Sequence, residues 1–474
     1  MQFTGFIGPA YELHSPNVDA QRCVNLYPEL GELGTGKNQE VAHLRQVPGH
    51  KLFAAGAGPN RGTHYTAGGR LFVVEGATLY EVSSAGVKTS RGTLLTSAGT
   101  VSIAESPLEV ILVDGSAGYL FTLATNVFAQ IADVDFPNGA ASVVFVDGYF
   151  IANLPGGQRF YISSLNAGAD WDALDFSTKD GAPDNILALA VYLRDLYLVG
   201  SRTTEIWINT GNADFPFERR DFIEYGTAAA HTVKLAGGTL IAVSQDKDGS
   251  GVVGKVAGLN AVRVSTFAIE HAIRGYGDIS AATAWTYEDG GHFFYALNFP
   301  GAKTTLVVEV GTGLWHERVY LNNGAEERDR AEHHAFAFNK HLVGDYANGN
   351  LYELDNDTYT HNGAAMLRRR TGPHLAQQGR RFIVHSFQVD CEVGVGIAAG
   401  QGSDPQMMMR FSRDGAHTWS SEKTASIGKQ GEYTKRVIWR RLGAMRGFVP
   451  EVSITDPVKV VLISAFLEAE GLGH

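Results

Sequence analysis

The sequence predicts an all-β protein: a β-propeller of about seven blades, within a range of six to eight, preceded by an extended N-terminal arm and followed by a C-terminal β-sandwich. Three observations predict it. Helical periodicity is nearly absent, and most apolar runs are short, β-branched or aromatic, and bounded by Gly, Asp or Asn. A strand–hairpin–strand unit recurs along much of the chain. The 56 glycines among 474 residues exceed the usual ~7% without any Gly-X-Y period, so the excess belongs to turns. A chain this long needs either several domains or a large closed repeat.

The expected boundaries are 1–62 for the arm, 63–366 for the propeller and 367–474 for the sandwich. The arm contains Pro9, Pro16, Pro28, Pro48 and Pro59 and little alternation, which predicts an extended segment packed on another surface. The repeat follows in seven copies, at 70–82, 108–122, 143–163, 193–210, 238–256, 292–310 and 334–355. One strand residue from each (Val73, Leu112, Ile151, Leu198, Ile241, Tyr295, Val343) gives spacings between 39 and 54 residues. Several short strands per unit at this period are the mark of propeller blades, which bury their faces only by stacking around a ring. Trp171, Trp207, Trp285 and Trp315 fall late in or between units, where blade-to-blade packing would bury them. A stack of sandwich domains is the structural rival.

The repeat stops near Arg368-Arg369-Arg370. Beyond it, alternating segments at 382–393, 407–412, 433–442, 448–454 and 458–467 predict a small antiparallel sandwich. The stretch 458–467 contains Lys459 and is far shorter than the ~20 residues a membrane helix needs, so it reads as a buried strand. The first residues lack the basic and apolar regions of a signal peptide, and the expectation is a soluble protein with no membrane insertion. The two cysteines, Cys23 and Cys391, cannot staple a chain of this length, which predicts a fold needing no disulfide.

Charge is divided. The net of −11 separates into 15 basic and 10 acidic residues in 367–474, against 24 and 40 in 1–366. A strongly acidic body disfavours tight nucleic-acid binding, which rests on neutralising phosphate.

Four local patterns invite chemistry. The segment from Gly31 through Gly36-Lys37 has phosphate-loop spacing, but Asn38 stands where a hydroxyl residue is needed and no helix pattern follows, so it is rejected. His333, His334 and His341 invite a metal, yet adjacent strand residues point to opposite faces. Asp246-Lys-Asp248-Gly249 resembles the start of a calcium loop, but Ala257 stands where the bidentate acid belongs; a hairpin tip explains it. The fourth, Ser412-Arg-Asp414-Gly415-Ala-His-Thr418-Trp419, resembles the Asp-box hairpin, in which Asp caps the turn and Trp packs beneath it. Asp boxes recur in sialidase propellers, which raises a glycan-active alternative, a sialidase-like hydrolase or lectin. The box is single here and structural by nature. No catalytic residue, metal ligand or cofactor is assigned, and the protein is not expected to be an enzyme.

The segment Tyr433-T-Lys435-Arg436-Val437-I-Trp439-R-Arg441-L-Gly443-A-M-Arg446 with Gly447-Phe448 resembles the C-terminal signature of the packaged-DNA stabilisation proteins of short-tailed phages. Val24-Asn25-Leu26 with Leu44-Arg45-Gln46-Val47-Pro48-Gly49, and Thr204-Glu205-Ile206-Trp207 with Thr210-Gly211, agree in order. The resemblance implies a tail hub, or nozzle: a homohexameric ring below the portal and the head-to-tail adaptor ring. Such a ring extends the DNA exit channel, lies close to double-stranded DNA without specific contact, and carries tail fibres or spikes and a plug or needle. It implies a virion-tail location, with assembly in the host cytoplasm. In a strand starting at Tyr433, Tyr433, Lys435, Val437, Trp439 and Arg441 would share one face and Thr434, Arg436, Ile438 and Arg440 the other. Basic residues on both sides predict that Arg436, Arg440, Arg441 and Arg446 meet carboxylates at a subunit or partner interface. The competing expectation is a solvated sandwich face.

Overall fold

The computed structural model describes residues 1–31, 42–245, 251–377 and 379–472. Seven four-stranded antiparallel sheets follow one another along the chain: 60–93, 102–130, 142–178, 186–223, 234–263, 283–322 and 331–355. These are blades 1 to 7, and the first strand of each lies innermost, beside its neighbours around the ring. The last sheet has only three strands of its own. Its outermost strand is Gly49–Ala54, antiparallel to Leu351–Asp355, so the chain's beginning closes the ring onto its seventh blade. Closure leaves no blade face exposed to stack on another molecule.

Hairpin alternation is local physics, and it locates the blades well. Val73, Leu112, Ile151, Leu198, Ile241, Tyr295 and Val343 all fall on the second strand of their blade, each with 0% exposure. The apolar core is not one body. It divides into seven clusters, one per seam between neighbouring blades. Trp171 fills the seam between blades 2 and 3, and Trp207 that between blades 3 and 4. Trp315 fills the seam of blades 5 and 6, and Trp285 that of blades 6 and 7. A buried tryptophan removes more apolar area from water than any other side chain, so these four anchor four of the seven seams.

The sandwich has its own core, to which Phe3, Phe6, Cys23, Leu26 and Leu44 contribute. The N-terminal segment is thus not an arm resting on a surface. Leu26–Leu30 and Ala42–Gln46 form two of the five strands of one sandwich sheet, beside Val461–Gly471, Phe382–Cys391 and Val437–Met445. The first blade opens at Asn60, a little before the sequence boundary. Cys23–Val24 joins the two domains. It pairs in parallel with Trp315–Asn322, the fourth strand of blade 6, and antiparallel with Arg368–Thr371 of the sandwich. One continuous sheet therefore runs from blade 6 through the sandwich to Lys423–Ser426. Among the described residues no helix is long and apolar enough to cross a membrane.

Candidate functional site

The edge of the sandwich departs from simple alternation in two ways. The strand predicted from Tyr433 begins at Val437, as Val437–Met445. Before it, Tyr433 N–H donates to Gly431 O and Lys435 N–H to Glu432 O, so residues 433–436 turn instead of extending. Val437 and Trp439 are buried on one face, but Arg441 has φ +59 and follows an exposed Arg440. Ser386 pairs with Arg440 and Val384 with Gly443, so the ladder bulges there. Arg441 therefore does not share Trp439's face; it points to solvent like Arg440.

All four arginines of the signature are exposed. Arg436 Nη2 donates to Gln388 Oε1 at 2.5 Å. Arg436 and Arg440 line a shallow groove of about 280 Å³ with Ser386, Gln388, Phe466 and Glu468. Arg446 sits at the hairpin leading into Gly447–Ile454. None of the four forms an ion pair among the described residues, whereas thirteen other arginines do.

The Ser412–Trp419 segment forms a closed turn. Asp414 Oδ1 accepts from Ser412 Oγ at 2.7 Å and from Thr418 N–H at 2.8 Å, and its Oδ2 accepts from Thr418 Oγ1 at 2.6 Å. The Thr418 hydroxyl, followed by its N–H and Ser412, holds this carboxyl well below the usual range. Ser412 Oγ also accepts from Ala416 N–H at 2.8 Å. Gly415 occupies a left-handed position at φ +74, where a side chain would meet Asn17. Trp419 is half-buried under the Arg410 guanidinium, 4.7 Å from its ring centre. The Ser412 and Thr418 hydroxyls and the Asp414 carboxylate are all spent on the turn itself.

The residues that hold the two domains together are ones that composition counted only as charge or as motif letters. Asn25, left-handed at φ +50 and fully buried, donates through Nδ2 to the carbonyls of Val319 and Leu367 at 2.8 Å each. It accepts from Val319 N–H in return. The buried Arg370 guanidinium donates to Phe6 O at 2.6 Å, Pro9 O at 2.8 Å and Gly5 O at 3.0 Å, and to Gln21 Oε1. Arg368 does the same for the carbonyls of Tyr359, Asp456 and Val458. On the opposite face Arg369 pairs with Glu326 and Glu451. The three consecutive arginines at the end of the repeat are thus consumed inside the molecule. Pro48, another letter of the resemblance, offers its carbonyl to the buried Arg318, whose Nε meets Asp329 Oδ2 at 2.5 Å. Burial pushes the neighbouring His50 down to about 4; the Asp329 carboxylate opposes this in part, and the Arg318 charge adds to it.

His333 and His334 separate as strand neighbours do. His333 Nδ1 lies 2.9 Å from Asn60 Oδ1, and His334 Nε2 lies 3.0 Å from His341 Nδ1. Among the described residues no three His, Cys, Asp or Glu side chains are gathered as a metal site. The phosphate-loop spacing, from Gly36 through Asn38, and the calcium-like segment 246–250 lie outside the described residues. A cleft of about 380 Å³ opens between blades 4 and 5, lined by Tyr192, Tyr197 and Arg220; the guanidinium is engaged by Asp195 and Asp221.

A closed seven-bladed propeller fused through a shared sheet to a β-sandwich, with buried arginines and an asparagine holding main-chain carbonyls, is the architecture of the chain. The family follows from its sequence. Residues 17–359 match the family profile for the β-propeller of bacteriophage P22 Gp10, and residues 368–470 that for its β-sandwich. The chain belongs to this family of short-tailed phage tail hub proteins that stabilise packaged DNA. No curated protein sequence matches the chain significantly. Solved structures resemble it distantly. The computationally designed Ika8 protein is 13% identical over 71% of this chain and 100% of its own, with a TM-score of 0.41. The N-terminal domain of Nup159 is 11% identical over 71% and 97%, also at 0.41. A chain of the mitotic checkpoint complex is 9% identical over 69% and 98%, at 0.45. The protein is a structural component of a phage tail.

Proposed function

We propose that this chain forms a ring of six copies at the base of the virion, below the portal and the head-to-tail adaptor. The ring extends the DNA exit channel, retains the packaged genome, and anchors fibres or spikes and a plug or needle. It assembles in the host cytoplasm before completing the tail. The observation that supports this reading is that the family matches cover both domains in order, 17–359 and 368–470. The work is geometric and electrostatic rather than chemical. Heterologous contacts repeated by rotation close into a ring, and an acidic bore repels the DNA backbone so that DNA passes without adhering. The acidic balance of residues 1–366 favours such a bore.

Electron microscopy of the protein bound to its neighbouring tail components tests the proposal. The expected result is a sixfold ring with a net-negative lumen; a bore lined by Lys and Arg, or a single copy per tail, overturns it. In solution, light scattering should give about six times 51.0 kDa once the ring has formed. The glycan-active alternative is not favoured, because the Asp414 carboxylate of the motif that raised it is engaged in capping its own turn. Fluorogenic glycosides and a glycan array should both stay silent.

A further inference from the structure

Two surfaces on far sides of the molecule carry charges that form no ion pair among the described residues. The first is the outer edge of the sandwich. Val437–Met445 pairs on one side only, with Phe382–Cys391, and ends its sheet. Arg436, Arg440, Arg441 and Arg446 stand exposed along it and without an ion pair among the described residues. Tyr433 beside them is 74% exposed.

The second is the rim of blade 3. Its outer strand, Ala167–Thr178, is the longest in the chain and likewise ends its sheet. Between Asp172 and Asp175 it bulges away from Arg159–Ser164, since Tyr161 pairs with Phe176 but Ser163 with Trp171. The rim gathers Asp170, Asp172 and Asp175. Asp133 and Asp135 join them, because Trp171 N–H donates to Asp133 Oδ2 at 3.0 Å and Phe136 packs edge-on against the Trp171 ring. None of these five forms an ion pair among the described residues. Their mutual field is felt: burial, and then the Asp172 charge, hold the Asp175 carboxyl above the usual range. Charge alone is an ordinary guard on an open edge. Large apolar side chains are not, and Val134 and Leu174 stand 89% and 80% exposed on this rim.

The positions of the two surfaces decide the partner. The sandwich joins the ring of blades through blade 6, and residues 49–54 tie the same N-terminal segment into blade 7. Three blades away in either direction from the seam of blades 6 and 7 lies blade 3, on the far side of the propeller. One copy cannot bring its two patches together, but successive copies can. We infer that the arginine edge of the sandwich docks on the aspartate rim of blade 3 in a second copy of this chain. Such a contact is head-to-tail, and it closes into a ring when its rotation permits. Arginine suits the task, since its planar fork takes carboxylates two-pronged, while Val134, Leu174 and Tyr433 supply apolar area between the charges.

This inference rests on the ring reading proposed above, and the experiment separates the two. A chain carrying Leu174→Cys and Arg441→Cys is oxidised at concentrations where light scattering detects assembly. Cys23 and Cys391 are buried and give little background. A ladder in steps of 51.0 kDa, absent from each single-cysteine chain, is the expected result. Two further chains sharpen it: Asp172→Lys with Asp175→Lys, and Arg440→Glu with Arg441→Glu. Each alone should assemble at least ~30-fold less readily, because like charges then face one another. Mixing the two should restore assembly, since each reversed patch meets its complement. Rings that form without the ladder and ignore both reversals overturn this contact while leaving the ring reading intact; the arginines would then face another tail component. A protein that never exceeds one copy, alone or on the tail, overturns both.

Discussion

The propeller and the sandwich are both β-sheet, yet they are held by different forces. The propeller divides its apolar core among seven seams, each built from two neighbouring blades. The sandwich has one core, and its polar fastenings are buried: Asn25 clasps main-chain carbonyls of blade 6 and of Leu367, and the guanidinium groups of Arg370 and Arg368 hold the N-terminal segment and Tyr359, beside apolar packing of Val24, Val319 and Leu367. Apolar seams tolerate variation in shape. Carbonyl cradles do not, because each oxygen left bare in a dry site costs its full desolvation. Of the residues carrying the family resemblance, only Val24-Asn25-Leu26 and Leu44 through Gly49 lie where the domains meet; the segment from Tyr433 lies on the sandwich edge and Thr204–Trp207 in blade 4.

The sharpest way to break the comparison is Arg370→Leu, which strands the carbonyls of Gly5, Phe6 and Pro9. It should cost about 3–5 kcal/mol, as loss of one partner from a buried charged network does, and release the first residues to protease. Thermal unfolding and limited proteolysis read this together. Retention of the wild-type cleavage pattern would show that the sandwich core, not the guanidinium, holds the N-terminus.

Next come the seams. Trp171→Ala and Trp207→Ala should each cost about 3–4 kcal/mol. Their cavities lie in different clusters, so the double variant should lose nearly the sum. Strong non-additivity in a denaturant titration would mean that the blades open as one unit. At the ring closure, Gly349 sits at φ +72 with room for no side chain, since a Cβ there would stand 1.7 Å from Gly58 O. Gly349→Ala should cost about 2–3 kcal/mol, by strain and displaced backbone.

A pH effect of about 1–3 kcal/mol per histidine follows for groups buried neutral. Unfolded, His50 and His316 bind a proton below about 6.5. Folded, burial pushes them down to about 4 and about 3. The unfolded state then holds more protons between these limits, so stability is full above pH 6.5 and falls as pH drops toward 4. Urea midpoints measured from pH 7 to 4 should decline accordingly. The smallest effect sharpens the point: both ring nitrogens of His316 are buried without a hydrogen-bond partner among the described residues, against Tyr27 and Phe294. His316→Phe should be nearly neutral at pH 7 and flatten the decline below pH 6.

What was legible in the sequence follows the same division. Blade hairpins are written in neighbouring residues, so seven chosen positions all landed on buried second strands. The junction is written across distance. Nothing local marks Gly49–Ala54 as the partner of Leu351–Asp355, or Asn25 as the rivet between Val319 and Leu367. The run Arg368-Arg369-Arg370 reads as surface charge until its acceptors are in place. The bulge at Arg441 had a faint local sign, Gly443 two residues on with φ +94, which alternation from Tyr433 overrode.

The strand that closes the ring has a consequence in time. Residues 49–54 leave the ribosome about 300 residues ahead of the strand they pair with. At 5–20 residues per second, that is a wait of roughly 15–60 s. The seventh blade is therefore unfinished until residue 355 has been made, and the sandwich sheet until residues 461–471 have followed. Until Leu351–Asp355 is made, the unpaired edge of residues 49–54 is open, the kind of edge that invites pairing with another chain.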